Sequence, residues 1–242
     1  MTDLQINEIT PKVVLGVAAH PDDLDFGASG SFAKWAQDGA DVYYLILTDG
    51  SKGSDDPNIT SEQLIKIRQD EQRNAAKAVG AKDVFFLAYP DAYLEVTMDL
   101  KKDIARHIRK IKPDVVVTTD PTVIYNSERG FINHSDHRAA GQATVDAVFP
   151  MARDRLTFPE LITEGFMPHK VSTLLFSSFG EGTFFVDITP TIDNKMAALA
   201  AHVSQMADIQ STQKRMKEVA TLVGGKMGVG YGEGFIKVDI ST

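Results

Sequence analysis

The 242-residue chain contains no cysteine, which excludes disulfides, thiolate nucleophiles and cysteine metal sites. Its 33 acidic against 25 basic residues leave a formal charge of −8, and without a lysine- or arginine-rich stripe this disfavours nucleic acid as a partner. Hydrophobic residues make up 43%, enough for one large core. No run approaches the ~18 uncharged apolar residues of a membrane helix, and the first residues lack a secretory pattern, so no membrane span and a cytoplasmic location are expected.

In chain order, VVLGVAA (13–19) reads as a buried strand, followed by a helical pattern from about 27 to 38 and a second strand over 42–47. Residues 60–79 read as a long helix, with Thr60 as N-cap, Gln63 three residues on, and Gly80 as the stop. A third strand is expected over 84–88. A helix follows over 97–111, with Leu100, Ile104, Ile108 and Ile111 on one face and most basic residues, with His107, on the other. The fourth strand is VVVTT (115–119). Residues 120–133 have loop composition, a helix is expected over about 136–148, and 150–170 reads as irregular. Strands over 174–179 and 184–188 flank a turn at Gly180–Gly182. Helices over 190–206 and 208–223, a flexible glycine-rich stretch from Gly224 to Gly234, and a last strand over 235–240 complete the pattern. Strand–helix alternation predicts a single α/β domain, with a Rossmann-like, mostly parallel sheet and helices on both faces. Such a sheet binds ligands beyond the carboxyl ends of its strands, where strand order switches.

Two polar clusters fall at such ends. His20-Pro21-Asp22-Asp23 follows the first strand. If its aspartates open a helix, His20 and Asp23 converge as one nitrogen and one oxygen ligand, while Asp22 projects elsewhere. His134-Ser135-Asp136-His137 opens a later helix, where residues three apart share a face, so one of its histidines can complete a two-histidine, one-aspartate zinc set with an open fourth position. Either motif alone is compatible with a turn or a helix cap. Together they hold three of the six histidines, and each sits where this fold class builds sites.

These motifs resemble those of the PIG-L/LmbE-like family of metal-dependent N-deacetylases: Ala19-His20-Pro21-Asp22-Asp23 after the first strand, and His134-x-Asp136-His137 later. The likeness extends to Thr48-Asp49-Gly50, Arg68…Glu71…Ala75…Gly80, Tyr89-Pro90-Asp91 and Lys195…His202-Val203-Ser204-Gln205, covering roughly 12–206 and leaving 207–242 unmatched. Asp25 departs from it, since many members carry glutamate just after the first motif. The resemblance implies that His20, Asp23 and His137 hold one zinc ion, with iron an alternative because two histidines and a carboxylate suit both. It implies Asp22 as general base and a protonated His134, held by Asp136, as stabiliser of the tetrahedral intermediate. The substrate would be an N-acetylated amino sugar or related small molecule, and the assembly a trimer or hexamer. Arg68 and Asp91 would suit sugar hydroxyls or phosphate; Asp49 would lie at the site floor. His202 is either a site residue or a core histidine, and the 120–133 loop, with Tyr125, Arg129 and Gly130, could cover the site. His107 and His169 are expected at the surface. The rival readings are a two-metal phosphoesterase, a nucleotide-binding module, for which the glycine pattern is poor, and a non-catalytic binding homologue.

Overall fold

The computed structural model describes residues 9–128, 130–178 and 182–240. A seven-stranded sheet runs through it in the order β3-β2-β1-β4-β7-β9-β8. Its strands are Val13–Ala18 (β1), Asp41–Thr48 (β2), Asp83–Tyr89 (β3), Val115–Thr119 (β4), Thr173–Ser178 (β7), Phe184–Asp187 (β8) and Gly232–Asp239 (β9). The first five in that order pair in parallel, and β9 pairs antiparallel with both β7 and β8. The parallel strands are short apolar runs because both faces of such a sheet are covered. Helices Asp23–Gly27 (α1), Ser29–Gln37 (α2), Ser61–Val79 (α3), Ile192–Ala201 (α7) and Ile209–Met227 (α8) contribute to the core on one face. Met98–Ile111 (α4) and Ser135–Asp146 (α5) contribute to the core on the other. The chain leaves β1 toward β2 and β3 on one side, then returns to β4 on the other side of β1. The crevice beyond the carboxyl ends of β1 and β4 is therefore the topological switch point.

Local chemistry sets the element ends. Thr60 and Gln63 form the expected capping box at the start of α3, and Gly80 ends it at φ 77°. Thr97 caps α4 by accepting from the Leu100 N–H.

Several expectations change. The helix expected over about 27–38 runs from Ser29 to Gln37, and a separate short helix, Asp23–Gly27, precedes it across Ala28. The loop before the second histidine motif contains a small hairpin, Tyr125–Asn126 (β5) with Phe131–Ile132 (β6). The 150–170 stretch holds a short helix, Pro159–Thr163 (α6). Upstream of it, Arg109 is buried rather than on the polar face of α4, and it donates to the carbonyls of Met151, Ala152, Asp154, Thr157 and Phe158. His107 and His169 are half-buried, each within 2.8 Å of a carbonyl, Asp103 and Pro113 respectively. The helix expected over 190–206 stops at Ala201. The glycine-rich stretch is not a loop: α8 runs on to Met227, where Gly224 lets the Val229–Tyr231 backbone pass close, and β9 begins at Gly232. Residues 207–240 thus contribute a helix and the strand next to the sheet's β8 edge to the same domain. Phe179 and the turn residues 180 and 181 lie outside the described residues. No helix among the described residues is long and apolar enough to cross a membrane.

Candidate active site

At the end of β1 the chain turns sharply. Asp22 has φ 96° and ψ −32°, outside the basins favoured by non-glycine residues. Its N–H donates to the Gln72 side-chain carbonyl at 2.9 Å, and its carboxylate lies 3.4 Å from the Arg68 guanidinium. Gln72 in turn donates to Asp25 at 2.9 Å. Asp25, fully buried, also accepts from Tyr44 at 3.0 Å and pairs with His202 at 2.8 Å. The departure at Asp25 is therefore an anchor beneath the turn. Beyond the turn α1 begins, and the Asp23 carboxylate folds back to accept from the His20 N–H at 2.9 Å.

The second segment enters from β4 through Asn133. The His134 Nδ1 caps α5 by accepting from the Asp136 N–H at 3.1 Å. One turn later His137 shares its face, with ring centroids 5.3 Å apart. Thr119 at the end of β4 donates to the His137 carbonyl at 2.8 Å, tying the helix start to the sheet.

The two segments meet. His20 Nδ1 is 3.2 Å from His137 Nε2 and 3.6 Å from Asp23 Oδ2, and His137 Nε2 is 3.1 Å from Asp23 Oδ1. Donors ~2.0–2.1 Å from a tetrahedral zinc are separated by about 3.3–3.4 Å, a spacing close to that between the two ring nitrogens and between each of them and one oxygen of the Asp23 carboxylate. The opposite nitrogen of the same ring, His20 Nε2, faces Asp91 at 3.1 Å and Asp136 at 3.3 Å. His20 thus stands between a carboxylate that can share a cation with it and two that orient it. Among the described residues, two groups of side chains are compact enough to hold an ion, His20/His134/His137 and His20/Asp91/Asp136, with Asp23 beside the first.

The electrostatics favour positive charge here. Burial opposes a charged His20, yet hydrogen bonds to Asp136, Asp23 and Asp91 outweigh it and hold its pKa up at about 12. Burial would raise Asp23, but His137 and His20 keep it well below the ordinary carboxylate range. Asp91 overcomes its burial through His20 and the Lys52 amide and falls to about 2. Asp22 behaves oppositely: burial, with Asp23 beside it, pushes it up to about 7 despite Arg68. Burial and the neighbouring His20 push His134 down.

Other expected contacts are redirected. The Asp136 carboxylate is fully buried, accepts from the Ala92 and Leu94 amides, and reaches His20, while its separation from His134 Nδ1 is 3.9 Å. It therefore orients His20 rather than holding a protonated His134. Arg68 is buried and donates to the carbonyls of Gly50 and Pro21, so it braces the Asp22 turn instead of facing sugar. Both Asp91 oxygens are engaged inside, one by His20 and one by the Lys52 amide. Asp49 accepts from the Ser51 and Asp91 amides and shapes the floor. His202 is the core histidine, with no exposed surface. In the same turn, Ser204 binds Glu71 and Gln205 binds the Gly53 carbonyl, so this late segment clamps α3 to the 50–53 loop. Arg129 lies outside the described residues.

Sequence reasoning missed Gln72 and Asn133. Gln72 lies one turn after Arg68 on the buried face of α3, and Asn133 one turn before His137; that spacing was the available signal.

A doubly wound sheet with a histidine–carboxylate cluster at its switch point defines an α/β protein whose site could hold a metal ion. The family model described as PIG-L: GlcNAc-PI de-N-acetylase matches residues 15–148. The diacetylchitobiose deacetylase of Thermococcus kodakarensis is 32% identical over 236 residues, covering 96% of this chain and 86% of that protein. The probable N-acetyl-alpha-D-glucosaminyl L-malate deacetylase 2 of Bacillus anthracis is 28% identical, covering 85% and 86%. The solved N,N'-diacetylchitobiose deacetylase of Pyrococcus horikoshii superposes with a TM-score of 0.87 at 30% identity, covering 98% of this chain and 88% of that one. The chain belongs to the PIG-L family and is an enzyme of the de-N-acetylase class.

Proposed function

We propose that this protein hydrolyses the acetamide of an N-acetylated amino sugar, with His20 Nδ1, His137 Nε2 and Asp23 as ligands of one divalent ion. The observation that carries this reading is the three-donor cluster, with separations of 3.1, 3.2 and 3.6 Å, directly beside the raised carboxyl of Asp22. When bound, zinc supplies a Lewis acid for the amide carbonyl and lowers the pKa of its water toward ~7. Ferrous iron suits the same donors.

Asp22 acts as the base. With a pKa near 7, its carboxyl can take a proton from the attacking water and return it to the departing amine. The His134 Nδ1 is occupied by the Asp136 N–H, so the neutral ring carries its proton on Nε2. His134 therefore serves the developing oxyanion as a neutral hydrogen-bond donor, with its ionisation held down by burial and by His20. The His134 and His137 side chains are 43% and 26% exposed, whereas His20 and Asp136 are buried, so the amide enters from the α5 side.

The phosphoesterase reading fits less well. The two ion-holding groups lie on opposite nitrogens of the His20 ring, unlike paired ions ~3.5–4 Å apart. The test is a panel of N-acetylated amino sugars, including diacetylchitobiose, assayed for amine release with metal counted per chain. Amine release at about one ion per chain is expected. Turnover of phosphate esters but of no acetamide sugar would overturn the proposal.

A further inference from the structure

Asn133 is buried at the junction between the β5–β6 hairpin and α5, and its side chain is used at both ends. Its Nδ2 donates to the Val123 carbonyl at 2.8 Å, and its Oδ1 lies 3.2 Å from His137 Nδ1. The orientation is decided by chemistry: a carbonyl can only accept, so the amide nitrogen must face Val123. The oxygen then faces His137, whose Nδ1 must carry a proton, which leaves Nε2 as the atom turned toward Asp23 and His20. The same residue ties the hairpin once more, because its N–H donates to the Ile124 carbonyl at 2.9 Å, and its own carbonyl accepts from Arg138 in α5. The hairpin itself carries little packing: Ile124, Tyr125, Phe131 and Ile132 are all exposed.

We propose that Asn133 is a positioning residue that couples the β5–β6 hairpin to the cation site through His137. The proposal rests on His137 being a metal ligand. A fixed Nδ1–H aims the imidazole, and the same amide group fixes the hairpin at Val123. Ordering one end orders the other. Coupling of this kind is reciprocal: if zinc binding steadies the hairpin, a steadied hairpin must tighten zinc by the same factor.

Two substitutions separate the ends of the side chain. Asn133→Ala removes both contacts. Asn133→Asp keeps an acceptor for His137 and loses the donor to Val123. Zinc affinity is measured by chelator competition, and hydrogen exchange is followed in peptides spanning β5 and β6, with and without zinc. In the parent, zinc should slow exchange in the hairpin. Asn133→Ala should lose about 10–100-fold in zinc affinity, the usual cost of removing an outer partner of a ligand. Asn133→Asp should lose only the coupling factor in zinc affinity, less than Asn133→Ala loses, with hairpin exchange no longer responding to zinc. Parent-like zinc affinity in Asn133→Ala, or a hairpin that still responds in Asn133→Asp, would overturn the coupling. His137→Ala is measured alongside. If it holds zinc like the parent, the ligand assignment falls and the coupling with it. If it loses zinc while Asn133→Ala does not, the coupling alone is wrong.

Discussion

Asp22 occupies a backbone conformation that disfavours a side chain, at a cost of order 1–3 kcal/mol, and its surroundings impose it. Gln72 accepts its N–H, Arg68 holds the preceding carbonyl, and α1 begins immediately after it. The reward is geometric: Asp23 turns back toward His20 while Asp22 is left free to exchange a proton. Asp22→Asn should therefore lower kcat by about 10²–10⁴-fold, the usual contribution of a positioned acid–base group. Zinc content should stay at the parent level. Parent-like turnover would remove the base assignment, and loss of metal would place Asp22 among the ligands instead.

The elements deliver these residues as sets. Helix α3 turns one face inward, and from it Arg68 and Gln72 brace the Asp22 turn, while Glu71 holds Ser204. Helix α5 must lie close against the end of β4 for His137 to reach His20. Gly141 permits that approach, because a Cβ there would overlap the Thr119 carbonyl oxygen and press on Pro121. Gly141→Ala is predicted to destabilise the protein by ~1–3 kcal/mol or more through overpacking, despite alanine's better helix propensity. Zinc affinity should fall with it, since the displaced helix carries His137, the proposed ligand. Denaturant unfolding and chelator competition on the same variant check both effects. A stabilised variant would show that α5 has room to spare.

At the scale of the whole molecule, the C-terminal segment supports a site whose residues lie between His20 and His137 in the chain. Buried Lys195 donates to Glu233 on β9 at 2.7 Å and to the carbonyls of Asp25 and Phe26 in α1. Glu233 also accepts from the amides of Gly30 and Ser31 and from the Ser31 hydroxyl. Lys195→Met strands that carboxylate and should cost ~3–5 kcal/mol, read from denaturant midpoints; a loss below ~1 kcal/mol would mean the pair contributes little. The buried His202–Asp25 pair gives a pH signature. Burial opposes a charged His202, but Asp25 outweighs it and raises its pKa. Its contribution is fully present below the unfolded value of about 6.5 and is lost as pH rises through the folded value. Stability should thus decline over that interval on the alkaline side, and His202→Gln should flatten the decline. An unchanged profile would show that the pair does not titrate there.

The sequence alone determined the sheet class, most element positions and the two metal motifs, because apolar periodicity, caps and histidine–aspartate spacing act over a few residues. It singled out His20, Asp23 and His137, which the structure brings within 3.1 to 3.6 Å of one another. It could not show that Arg68, Asp91 and His202 face inward, since the partners occupying them lie 18 to 177 positions away in the chain. Nor could it tell that Asp136 serves His20 rather than its neighbour His134, or that residues 224–234 are helix and strand. Those outcomes follow from burial: a polar side chain takes its role from whichever donor or acceptor the packed chain brings within about 3 Å, and only the tertiary structure decides which that is.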